Sequence, residues 1–428
     1  MVKKFIKIRY NQKLQMMKNT YRILLFLISI TLIISCDNYN STTQTQKSNR
    51  WSEEKIWEWY NNKPWPVGTN FITSSSINQL EFWQEETFDP DLIEKELKLS
   101  ASIGMNSHRV FLHDLLWEQD SIGFLERIDK FLEISDRYGI KTLLVFFDDV
   151  WHPVPKLGTQ PEPIPYIHNS GWVQSPGAKI LYDTLSHNKL KSYVKGVVGK
   201  FANDSRILAW DLYNEPGQKG IASHEISKER AIELYGKIGI EITDDNYSTY
   251  NLSEIDPKDK KQMHTLSLLK KTVKWVREIN PSQPITTGIY AWDIDWAPIS
   301  DLSELDQFII NSSDIISFHS YASKVEVLEK VKQLKNYNRP LLCTEYIARE
   351  HKSTFEDVLP IFNENKIGAY NWGFVSGKTN TIYPWKSWDS TYTGPPIKWH
   401  HDIFYQNGEP FSVEEIKFIK NTISSVNK

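Results

Sequence analysis

Residues 123–149 read GFLERIDKFLEISDRYGIKTLLVFFDD. In the first half, Leu125, Ile128, Phe131, Leu132 and Ile134 recur at the three- and four-residue spacing of one helix face. Gly139 interrupts that pattern. Lys141–Phe147 then runs apolar over a length that suits a buried strand, and stops abruptly on Asp148-Asp149. A helix feeding a strand buried on both faces is the repeating unit of a parallel α/β sheet, since such strands need helices to cover them.

The same alternation extends in both directions. Further apolar runs lie at Val67–Ile72, Asn106–Leu112, Ile207–Tyr213, Pro284–Tyr290, Ile315–Ser320, Pro340–Tyr346 and Gly368–Phe374. Amphipathic stretches separate them at Pro90–Ile103, Leu190–Ala202, Thr265–Ile279, Val325–Leu334 and Thr354–Asn365, with stop signals at Gly104 and Asn280-Pro281. Eight strands alternating with helices over roughly 300 residues predict a closed (β/α)8 TIM barrel. A doubly wound sheet has fewer strands and a glycine-rich turn after the first; the chain holds no G-x-G-x-x-G, no phosphate-binding loop and no H-E-x-x-H. Two connections are long: Asp148 to about His187, after the third strand, and Pro216 to about Met263, after the fourth, with its own helix around Lys228–Lys237. Such loops fall on the C-terminal face of a barrel, where active sites belong.

The start of the chain has another purpose. The 428 residues carry 50 Lys+Arg against 53 Asp+Glu, net −3. Residues 1–35 hold seven basic side chains and no acid, leaving 43 basic and 53 acidic groups, or −10, on the remainder. That balance argues against a nucleic-acid partner. Ile23–Ile34 is apolar but at about 1.5 Å per residue is too short to cross a membrane core of ~30 Å. A basic stretch before a short apolar run is a secretory-signal pattern. Ile33-Ile34-Ser35-Cys36 resembles a bacterial lipobox. Residues 1–35 are therefore expected to be a lipoprotein signal peptide, Cys36 the lipidated N-terminus, 36–50 a flexible tether and 51–428 the catalytic barrel. This places the protein at the cell envelope, anchored to a membrane and facing the periplasm or the outside. Cys343 is the other cysteine, so no intrachain disulfide is expected beside an acylated Cys36.

A barrel strand should end apolar, yet the fourth runs into Asn214-Glu215-Pro216 and the seventh into Glu345-Tyr346. Both carboxylates then point into the same end of one barrel. Two carboxylates facing each other across a sugar are what glycosidic cleavage requires, one protonating the leaving oxygen while the other attacks the anomeric carbon or activates water. Either residue alone could be a helix cap or a partner for a barrel arginine. Asp211, inside the strand, reads as a buried hydrogen-bonded group rather than a third acid.

The segments DLYNEPGQ (211–218), ISFHSYA (316–322), LLCTEYIAR (341–349) and YNWGF (370–374) resemble the retaining glycoside hydrolases of clan A, most closely family 5, the cellulase–mannanase family. The resemblance implies that Glu215 is the acid/base and Glu345 the nucleophile. It matches Arg109 to an arginine that hydrogen-bonds the nucleophile and lowers its pKa, and Asn214 to the residue that binds the sugar 2-hydroxyl. His319 matches a substrate-binding histidine, Tyr321 a tyrosine that orients the nucleophile, and Trp372 an aromatic platform under the sugar. Arg109 could instead make a plain structural ion pair and Trp372 simply pack the core. Where the family shows a histidine pair after the third strand, this chain has Asp148-Asp149-Val150-Trp151-His152; His152 either fills part of that role or is a loop histidine.

Of Trp151, Trp172, Trp292, Trp296, Trp385 and Trp388, half are expected to contact substrate, Trp292 and Trp385 among them. His400-His401 has no third ligand at recognisable spacing and is taken as structural, so no metal and no cofactor are expected. The function expected is retaining hydrolysis of β-glycosidic bonds in β-mannan, β-glucan or xylan type poly- or oligosaccharides by a monomer. The alternatives are a transglycosylase of the same fold, an exo-acting glycosidase if the two long loops wall off one end of the cleft, and a non-catalytic lipid-anchored glycan-binding protein.

Overall fold

The computed structural model describes residues 50–218, 228–237, 239–243, 258–291 and 293–425. The leader, Cys36, the tether up to residue 49 and Trp292 lie outside the described residues. The strands are β1 (Val67–Asn70), β2 (Ser107–Phe111), β3 (Lys141–Val145), β4 (Ile207–Asp211), β5 (Ile285–Thr286), β6 (Gly288–Ile289), β7 (Ile316–His319), β8 (Leu341–Glu345) and β9 (Gly368–Asn371). All pair in parallel, in the order β5-β4-β3-β2-β1-β9-β8-β7-β6. β5 and β6 are the two halves of the expected fifth strand, parted at Thr287. One half pairs with β4 and the other with β7, so the ring of a (β/α)8 TIM barrel closes through that strand.

The helix of the opening stretch runs from Asp114 to Arg137, longer than its periodicity suggests, with a break in helical geometry at Asp120. Its buried face is Phe124, Ile128, Phe131, Leu132 and Ile134, and Phe131 packs against Phe71, Phe82 and Trp83. Other helices start on side-chain caps: Asp89, followed by Pro90, accepts from Leu92 N–H, and Thr354 accepts from Asp357 N–H. The helix placed at Thr265–Ile279 starts at Lys258, which shortens the connection after β4.

Strand alternation turns Ser107, Arg109 and Phe111 of β2 to the barrel interior, while Val110 joins the outer core beneath the helices. At the N-terminal end, helix Glu53–Asn61 seals the barrel. Its Ile56 and Tyr60, with Trp51, pack on Leu143, Leu208, Ala209, Ile315, Leu342 and Tyr370. Hydrogen bonds from Trp51 N–H to Asp314 and from Tyr60 Oη to the Lys366 carbonyl fasten it. The C-terminal end is thereby the open one. Residues 372–412, between β9 and the last helix Val413–Ser424, form a long connection that the apolar pattern did not announce.

Candidate active site

At the strand ends of that open face, the β4 chain turns sharply after Asp211. Glu215 adopts φ 41°, in the left-handed region that costs an L residue strain and recurs at functional sites. Gly217 follows at φ 82°, where an added Cβ would lie 2.7 Å from the Gln262 side chain. Its N–H donates to Asp149 Oδ2 at 2.7 Å, and the same carboxylate accepts from Thr265 and Tyr213. Asp149, four residues beyond β3, thus holds the turn that presents Glu215.

Glu345, the last residue of β8, takes a hydrogen bond on each oxygen: from Arg109 Nη1 to Oε1 at 2.9 Å and from Tyr321 Oη to Oε2 at 2.7 Å. Arg109 is wholly buried, and it also donates to Asp211, Asn70 and Asn214 at 2.8–2.9 Å. Asp211 is therefore the arginine's buried counter-ion, as its place inside the strand suggested. Asn214 accepts from Arg109 on Oδ1 and donates from Nδ2 to Asp148, so its amide orientation is set from both sides. Glu215 has different partners: His319 Nδ1 lies 2.9 Å from Oε1, and Gln218 donates to Oε2. A carboxylate oxygen from each glutamate and a ring nitrogen of His319 all lie within 4.8 Å of one another.

A cavity of about 210 Å³ opens over this group. Asn214, Glu215, His319, Tyr321, Glu345 and Trp372 line it, joined by Trp151, Trp172 and Trp385 from the loops. Trp372 is 9% exposed and stands edge-on to Trp172 and Phe111, so it belongs to the cavity wall and to a buried cluster at once. Trp296 and Trp388 are buried elsewhere. His152 lies outside the cavity wall: its Nδ1 accepts from Val154 N–H and its ring meets Tyr235 edge-on. The wall after β3 comes instead from Trp151, His168, Asn169 and Trp172. Trp172 Nε1 donates to Asp148 Oδ2 at 2.8 Å, so the acid that orients Asn214 also fixes this ring.

Residues 97–377 match the model of the cellulase family, glycosyl hydrolase family 5. The chain belongs to glycosyl hydrolase family 5. No curated protein sequence matches it. Among solved structures, it is similar to the apo form of a β-glucosidase, 1317, at 11% identity and a TM-score of 0.53, covering 84% of this chain and 98% of that one. It is also similar to a GH5_18 protein from Streptomyces cattleya in complex with GlcNAc, at 11% identity and TM-score 0.50, over 86% and 81% of the two chains. A β-mannanase from the blue mussel Mytilus edulis aligns at 14% identity and TM-score 0.50, over 84% and 92%. At these identities the likenesses show the barrel fold and no more.

The charges of this family 5 protein are governed by burial. Burial pushes the Glu215 carboxyl up to about 7 and holds the His319 ring down to about 4, so His319 is neutral near neutral pH. Arg109 does pull the pKa of Glu345 down, as the resemblance implies, but the net shift is upward. Burial raises it, and the nearby Glu215 adds to that, while His319, Arg109 and the Tyr321 hydroxyl pull it down without prevailing. Arg109 is shared with Asp211, and the dry site penalises every charge in it.

Cavity residues that the sequence did not single out for the site are Val150, His168, Asn169, Gln218, Tyr290 and His401. His401, structural by the sequence pattern, forms part of the wall. Only Gln218, three residues beyond Glu215 within the matching segment, carried a local signal.

Proposed function

We propose that this family 5 protein is a retaining β-glycosidase acting on β-linked poly- or oligosaccharides of the mannan, glucan or xylan type. The observation that carries this reading is the proximity of the Glu215 and Glu345 carboxylates, one oxygen of each lying within 4.8 Å of one of the other. Retaining enzymes hold the pair about 5–5.5 Å apart, whereas inverting enzymes leave about 6.5–9.5 Å for a water. Glu345 attacks the anomeric carbon as the glycosidic C–O bond breaks, and Glu215 gives its proton to the departing oxygen. Glu215 then takes a proton from water, which attacks the anomeric carbon and releases Glu345. In this reading Asn214 binds the 2-hydroxyl and Trp372 lies under the ring, and both line the cavity. The test is the anomer first formed from an aryl β-glycoside, followed by proton NMR: β is expected, and α would overturn the mechanism.

The raised pKa of Glu215 supplies a second test. A general acid works protonated, so kcat/KM for a substrate with a poor leaving group is expected to fall as pH rises through about 7. Glu345 must be ionised, and its upward shift moves the acid limb up as well, narrowing the bell. With a dinitrophenyl glycoside, which needs no protonation to leave, the alkaline limb should vanish in Glu215→Gln. A wild-type profile flat well above pH 7 with the poor leaving group would remove Glu215 from that role.

Export and anchoring through Cys36 belong to the same reading and rest on the basic, apolar leader. Labelled palmitate fed to cells making the full chain should mark the protein and not its Cys36→Ser variant. Equal labelling would remove the anchor.

A further inference from the structure

The loop after β3 and the connection after β9 are joined across the mouth of the barrel. Asn169 N–H donates to the Thr379 carbonyl, His168 N–H to Ser387 Oγ, Trp388 Nε1 to the His168 carbonyl, and Asn380 Nδ2 to the Ile164 carbonyl, at 2.8–3.1 Å. Trp151 stacks on Trp388 at 5.5 Å with the rings 13° apart. This bridge reaches the nucleophile's side of the cavity. Tyr321, which donates to Glu345, has the Trp385 ring 5.0 Å and the His401 ring 5.6 Å from its own. Glu215, which would protonate the leaving group, instead takes a hydrogen bond from Gln218, while His319 lies between the two carboxylates, 2.9 Å from Glu215 and 3.6 Å from Glu345.

Two polar atoms on the bridged side have no hydrogen-bond partner among the described residues: Asn169 Oδ1 and His401 Nε2. Both residues line the cavity, and both are buried, at 2% and 0% exposure. What sets these two apart from most other partnerless buried atoms of the structure is that their residues line the cavity, as that of His319 Nε2 also does. The His401 Nδ1 atom faces the Ile347 carbonyl, which can only accept, so Nδ1 carries the proton and Nε2 is an acceptor. Asn169 Oδ1 is an acceptor too. Two neutral acceptors suit hydroxyl donors and repel a carboxylate, and a sugar at a chain end has a free hydroxyl where an internal one carries the next residue. The cavity's 210 Å³ also falls below the ~300–1,000 Å³ of sites that hold drug-sized ligands, which favours one sugar over a run of them.

We propose that the bridge blocks the glycone end of the cavity, that Asn169 and His401 accept hydroxyl groups of a single terminal sugar, and that the enzyme is exo-acting, releasing monosaccharides from non-reducing chain ends. This rests on the glycosidase reading of the same cavity.

The experiment uses borohydride-reduced cellohexaose, mannohexaose and xylohexaose, each also with a 4-O-methyl group on its non-reducing end, together with the corresponding 2,4-dinitrophenyl β-glycosides. The expected result is monosaccharide and the reduced pentamer as the first products of one series, with its capped hexamer untouched. Mixed shorter oligomers and cleavage of the capped hexamer would overturn exo action and leave the glycosidase reading standing. Failure to cleave any hexamer or aryl glycoside would remove that reading, and this proposal with it. On the cleaved aryl glycoside, Asn169→Leu and His401→Ala should each lower kcat/KM about tenfold or more, and Asn169→Asp, which keeps an acceptor, should lose less than Asn169→Leu. Unchanged kcat/KM in folded Asn169→Leu and His401→Ala would remove the two residues from recognition. If either variant fails to fold, the capped hexamer on the wild-type enzyme still decides.

Discussion

Glu345→Ala should lower kcat for an unactivated β-glycoside by a factor on the order of 10⁴ or more, the scale seen when a covalent nucleophile is removed. Glu215→Ala should cost about 10²–10⁴-fold with the same substrate, the usual contribution of a positioned general acid, and much less with a dinitrophenyl leaving group. Azide separates the two. In Glu345→Ala it can enter the space of the missing carboxylate and attack from that face, giving an α-glycosyl azide. In Glu215→Ala the glycosyl-enzyme still forms from the activated substrate, and azide attacks the opposite face to give the β-glycosyl azide. Product NMR reads the configuration. Full activity in Glu345→Ala, or β-azide from it, would end the assignment of Glu345 as nucleophile. The reason for expecting so large a loss is geometric. Glu345 has both oxygens fixed by Arg109 and Tyr321, and among the described residues no carboxylate besides Glu215 joins it in lining the cavity.

Arg109→Met carries the largest expected effect on stability. The guanidinium is completely buried and satisfies two buried carboxylates and two side-chain amides. Removing one partner of a buried ion pair strands the other charge, at a cost of about 3–5 kcal/mol. A drop of that size in unfolding free energy should appear as a lower urea midpoint at unchanged slope. Adding Asp211→Asn removes one of the two stranded carboxylates, so Arg109→Met/Asp211→Asn should recover part of the stability. It should not recover activity, because Glu345 and Asn214 have still lost their common donor; kcat/KM should stay at least about 10²-fold below wild type. Recovery of activity in the double variant would show that Arg109 acts only as a structural counter-ion to Asp211.

The barrel was legible from local pattern. A strand covered on both sides must be apolar throughout, and a helix lying on it must carry a stripe, so the alternation around 123–149 already contains the α/β unit. The two glutamates were legible for a related reason. A charge at the edge of a buried strand stands out against that pattern, and barrel closure brings all C-terminal strand edges to one face. Asp211 followed from the same logic, as a charge inside a strand that had to find a partner.

Other parts of the site left no such trace. His152 reads from its position either as a substitute for a missing histidine or as a loop histidine; the loop turns it to Tyr235 and brings Trp172 and Asn169 to the wall instead. Residues 372–412 lack helical or strand periodicity, so neither their length as a wall nor the place of His401 in it could be read locally. The Trp388–His168 hydrogen bond spans 220 positions. The ionisation of Glu345 also escaped, since its arginine partner was visible in the motif while the burial that outweighs it was not. Periodicity along a chain reports which face of an element avoids water, and that determined the barrel and the strand ends bearing its two carboxylates. Which loops meet across the mouth, which polar atoms they leave without partners, and how far burial shifts a charge depend on contacts between distant segments, and the tertiary structure alone decided those.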